Sequence, residues 1–107
     1  MILRRRRFHD LVARQLDLFE SETELLTEAA ETDAAWTTAA ADDSEELYGD
    51  HQLVVDAIGD ALHDIRETYA ATLDESTADD YRAAFDAAAR RRFGRFASAL
   101  AEGHEWR

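Results

Sequence analysis

The chain of 107 residues contains no cysteine, no proline and no lysine. Without cysteine there is no disulfide framework, no thiolate metal site and no cysteine nucleophile. Glycine is confined to positions 49, 59, 94 and 103, so the punctuation that β-hairpins and α/β turns need is missing. No apolar run approaches the roughly 20 residues of a membrane span. The basic start, Met1 to Arg7, is followed by no apolar segment of the kind a secretion signal carries, and the expected location is the cytoplasm. Helix is the secondary structure these absences leave.

What is present is enough to fold one domain, with 46% hydrophobic and 34% charged residues. The net charge of −12 is uneven: +4 over residues 1–16, −19 over 17–86 and +3 over 87–107. An acidic body therefore sits between two arginine-bearing ends. Such a surface is first a solvation property, shared by proteins adapted to salt. Its sign repels phosphate and argues against nucleic acid. Contact of Arg4–Arg7 with an anionic membrane surface is a lesser alternative.

Apolar periodicity supplies the architecture. The pairs Leu11-Val12, Leu18-Phe19 and Leu25-Leu26 recur every seven residues, and Phe8, Ala29 and Trp36 continue the stripe. One phase from Phe8 to about Ala40 predicts a single long helix over 3–41, about 58 Å in length. Ser21-Glu22-Thr23-Glu24 competes as a capping box that would start a new helix there. A second helix is expected over 45–73, with Leu47, Val54, Val55, Ile58, Leu62, Ile65 and Tyr69 on its apolar face. A third is expected over 77–102, capped by Ser76 and ended by Gly103, with Tyr81, Phe85 and Phe96 on its face. Short turns between long helices give an all-α, antiparallel, up-down-up three-helix bundle in one domain, 1–107. Because the first helix is the longest, residues 1–10 are expected to overhang, and its uncovered stripe leaves room for completion by dimerisation.

Candidate functional residues fall into three groups. The overhang (Leu3, Arg4, Arg5, Arg6, Arg7 and Phe8) begins a helix, where the macrodipole disfavours cations, so a partner there is plausible. Trp106 and Arg107, in the tail 103–107, form the second candidate contact, since tryptophan is a frequent interface anchor. Glu22, His51 and Arg92 fall in or near apolar arcs and read as buried polar groups that set helix register. Residue counting places His51 near Trp36 and Asp33, Arg92 near Glu28 or Asp33, and Glu22 near Ile65. The third group, Asp56, Asp60, His63 and Glu67, shares the outer face of the second helix. Carboxylates with a histidine one turn away suit a divalent metal, but an outward face reads more plainly as solvated. No cofactor is expected. The functional expectation is a non-catalytic interaction or assembly protein, an accessory subunit or adaptor, with a protein partner or a second copy. The alternative is a metal- or small-ligand-binding bundle that uses the carboxylate and histidine positions.

Overall fold

A computed structural model of the chain describes residues 2–39 and 41–103, with side chains over 7–39 and 43–100. Among the described residues the chain is helical and contains no strand. The elements are α1 (Ile2–Glu22), α2 (Leu25–Thr37), α3 (Ala41–Ala70), α4 (Glu75–Phe93), a 3₁₀ turn (Gly94–Ala97) and a short α5 (Ser98–Gly103). Among the described residues no helix is long and apolar enough to cross a membrane.

The single first helix expected from the heptad phase is two helices. Ser21 donates its hydroxyl to the Leu18 carbonyl at 3.1 Å, and the Thr23 hydroxyl accepts the Leu25 N–H at 3.1 Å. Both hydroxyls offer the backbone an alternative to the helical ladder, and that local competition overrides the apolar period. The break falls inside the residues 21–24 that competed as a capping box, but the box itself does not form: Ser21 is still in α1, and Glu24, which precedes α2, makes no side-chain cap hydrogen bond.

The third expected helix is also interrupted. Gly94 takes φ +61°, a region side-chain-bearing residues rarely adopt, and its N–H closes on the Arg90 carbonyl. Gly94, not Gly103, ends the long helix, and the 3₁₀ turn sends the chain back over α3. The start of α4 is set by Asp74, whose carboxylate accepts the Thr77 N–H and the Ser76 hydroxyl. Bonds from Thr77 and Ser76 hold the exposed Asp74 carboxyl below its ordinary range.

Ring and ion-pair contacts give the directions. Tyr69 meets Tyr81 and Arg66 meets Asp86, so α3 and α4 form an antiparallel hairpin. Trp36 meets Tyr48 and Thr32 meets His51, so α2 is also antiparallel to α3. Phe8 lies on Tyr81 and Phe19 on Phe93, so α1 runs parallel to α4. At that register Ile2 is level with Glu75, the first residue of α4. The expected N-terminal overhang is therefore absent, because the break after Glu22 lets α1 slide down beside α4.

The core runs through Phe8, Val12, Leu16 and Phe19 of α1, Ile58 and Leu62 of α3, and Tyr81, Phe85 and Ala89 of α4. At its other end α5 crosses α3 with backbones nearly touching. A methyl group built on Gly59 would lie 2.6 Å from Ala99 Cβ. This glycine, a weak point for the helix by propensity alone, is what admits α5.

Candidate functional site

Among the described residues the main candidates are a buried arginine between α3 and α4, a histidine between α2 and the C-terminal segment, and an open apolar groove between α1 and α3.

Arg66 is 3% exposed, and all three of its guanidinium nitrogens are engaged. Nη1 donates to Asp86 Oδ1 at 2.8 Å and Nε to Glu67 Oε2 at 2.7 Å. Nη2 lies 3.0 Å from His63 Nδ1, which must be the acceptor because a guanidinium only donates. Arg82 of α4 closes the network, giving Nε and Nη2 to Glu67 and Nη1 to Asp79. The bonds from Arg82, then those from Arg66, hold the Glu67 carboxyl below its ordinary value despite partial burial. A buried charge is tolerated where its partners are complete, and here they tie two helices at one register.

His51 is 6% exposed. Its ring stacks on Trp36 and meets Phe96 edge-on, and Nδ1 lies 2.8 Å from Thr32 Oγ1. Nε2 faces Asp33 Oδ1 at 4.0 Å, beyond hydrogen-bond range, and that buried oxygen has no hydrogen-bond partner. The other Asp33 oxygen is taken by Arg95 of the 3₁₀ turn.

The groove holds about 770 Å³ between the C-terminal half of α1 and the C-terminal third of α3. Leu18, Phe19, Ala61, Ile65 and Tyr69 supply its apolar lining, and Glu22 and Asp64 also border it. Leu18 is 57% exposed at this face, although it belongs to the most regular stripe in the sequence. A second groove, about 750 Å³, lies on the other side of α1 against α4 and is walled chiefly by alanines. Arg92 borders it and spans from α4 to Asp17 and Glu20 of α1.

No family model, no curated protein and no solved structure matches the chain.

The predicted residues are distributed as follows. Phe8 is 4% exposed and packed edge-on against Tyr81, so it is core and not contact surface. Arg7 is exposed, with its guanidinium 5.4 Å from the Phe8 ring centre. The side chains of Leu3, Arg4, Arg5 and Arg6, and the whole of Trp106 and Arg107, lie outside the described residues. Glu22 is exposed and not buried, because it shares with the exposed Leu18 a face of α1 that is turned away from α4. Arg92 is likewise a surface strap and not a core residue. The Asp17 and Glu20 carboxylates face it across the α1–α4 seam and raise its pKa. Of the two partners expected for Arg92, Glu28 and Asp33, neither is the one it meets, and Asp33 is instead bound by Arg95.

Of the outer-face set, Glu67 and His63 are turned to Arg66, Asp56 accepts from Gln52, and Asp60 is exposed. Among the described residues no three histidines or carboxylates come together to hold a metal. Arg66 itself escaped the sequence reading. The signal was its i±4 position between Leu62 and Ala70, two residues that are buried with it.

Proposed function

We propose that this chain is a non-catalytic helical assembly protein whose working surface is the apolar groove between α1 and α3. The observation that carries the reading is Leu18, 57% exposed beside Phe19, Ile65 and Tyr69. Scattered exposed leucines are ordinary, but one that extends a concave apolar surface is how a partner helix is received. The polar clusters support the same reading. Arg66, Arg82 and Arg92 are each spent on cross-helix ion pairs, which fix the scaffold on which the groove is displayed. The metal- or ligand-binding alternative draws less support, because guanidinium groups occupy two of its four outer-face donors.

The test compares two exposed leucines. Leu18→Asp places a charge in the groove, whereas Leu53→Asp, at a site 69% exposed and not part of the groove, does not. Full-length protein is purified both alone and from its native host, and its mass in solution is read by light scattering. The reading expects a defined complex that is lost in Leu18→Asp and kept in Leu53→Asp. A chain that is monomeric from both sources, or a complex indifferent to Leu18, overturns it.

A further inference from the structure

We infer that the occupant of the groove is a second copy of the chain, docked with its α1 antiparallel to the first; this rests on the groove being the working surface.

The inference begins with one face of α1. At 100° per residue, Arg7, Leu11, Leu18 and Glu22 fall within an arc of roughly 60°. Arg7, Leu18 and Glu22 are exposed and Leu11 is partly buried. The face is turned away from the Val12–Leu16 side that packs on α4, and its C-terminal half borders the groove.

The spacing along this face is its own mirror image. Leu11 follows Arg7 by four positions and Glu22 follows Leu18 by four, with the two leucines seven apart. The centre of the pattern lies between Arg14 and Gln15. A two-fold axis there brings Leu11 opposite Leu18 of the second copy, and Arg7 opposite Glu22 of the second copy. Every contact then occurs twice, as an isologous interface requires. The ends carry opposite charges, so the antiparallel arrangement pairs them, whereas a parallel one sets Arg7 against Arg7 and Glu22 against Glu22.

The wider charge distribution agrees. Two bodies of −12 repel each other, so self-association needs a contact patch with a different balance. Residues 1–16 carry +4, and residues 17–24 carry four acids and no base. Antiparallel contact lays the positive half of each α1 along the negative half of the other. In this position the N-terminal half of α1 of the second copy lies along the groove of the first, and its Leu11, opposite Leu18, faces the lining of Phe19, Ile65 and Tyr69.

The absence of cysteine makes the register directly readable. In a mixture of purified Leu11→Cys and Leu18→Cys chains under mild oxidation, antiparallel docking gives the mixed 11–18 disulfide as the dominant product. Dominant 18–18 and 11–11 products would overturn the antiparallel register. A charge exchange supplies the second reading. Arg7→Glu and Glu22→Arg are each expected to raise the dimer Kd about tenfold, since two surface pairs turn from attraction to repulsion. The double variant is expected to return to the wild-type value, and failure to recover overturns the pairing. Both positions are exposed, and unchanged circular dichroism shows that the fold is intact. Wild-type protein that stays monomeric at high concentration, yet enters a Leu18-dependent complex with a different protein, overturns the second copy while leaving the groove as working surface. Loss of both overturns the groove itself.

Discussion

The two halves of α3 are held by different means. From Ala61 to Ala70 the helix packs into side-chain volume: Leu16, Leu62, Tyr81 and Phe85 are 0–1% exposed, and Arg66 has a partner for each guanidinium nitrogen. From Leu47 to Gly59 it is held by the smaller aliphatics Val55 and Ile58, by close backbones and by one mixed cluster. There α2 contributes Ala29 as a fully buried side chain, α5 crosses at Gly59, and Asp33 Oδ1 is left without a hydrogen bond. Large side chains tolerate small shifts of a helix, whereas a glycine crossing does not. The first half is strong through bulk, and the second depends on fit.

Removing bulk should cost most in the first half. Phe85→Ala is expected to destabilise by about 3–5 kcal/mol, while the half-buried Trp36→Ala in the other half costs less than half as much. Urea midpoints at constant m-value measure both, and equal losses would break the comparison. Adding a single methyl tests fit. Gly59→Ala is expected to cost about 1–3 kcal/mol through overlap with Ala99, seen as a lowered Tm.

Tyr81 sharpens the comparison through pH. Burial pushes its hydroxyl from 10.0 up to about 12, and the buried phenol donates a hydrogen bond to Gln15 Oε1 at 2.8 Å. The folded state thus favours the protonated phenol. The corresponding stability is complete below pH 10 and is lost as pH rises through 12. Absorbance titration should show one of the three tyrosines ionising last, together with loss of helix, and Tyr81→Phe should remove that alkaline phase. The smallest effect has the opposite sign. Gly49 lies within α3 with nothing near its missing side chain, so Gly49→Ala is expected to stabilise by about 1 kcal/mol.

How legible each feature was follows the range of the force behind it. The apolar period marks out helical faces well, because burial acts along a whole element, and it places His51 beside Trp36 and Asp33, where it sits. It hides the break at Thr23, because the stripe keeps its phase across two residues while hydroxyl groups divert the ladder. That miss carries forward: with α1 freed to lie level with α4, Arg92 faces Asp17 and Glu20 in place of Glu28 or Asp33. Arg66 reads as an ordinary surface charge until α4 brings Asp86 and Arg82 beside it, a pairing that depends on tertiary register. The Gly94 bend was present as a letter, but its positive φ follows from α5 having to return over Gly59.

The parallel seam between α1 and α4 also shapes how the chain reaches its fold. α3 and α4 are joined by a four-residue turn and can zip locally, whereas α1 meets α4 through contacts 66 to 79 positions apart. Contacts that distant require closing most of the chain first, and they form late. α1 is thus the last helix to dock and the first to open, and its amides should exchange with solvent before those of the α3–α4 hairpin. The helix that carries the exposed leucine is also the one whose attachment is most readily undone, so anything that grips its outer face acts as a brake on unfolding.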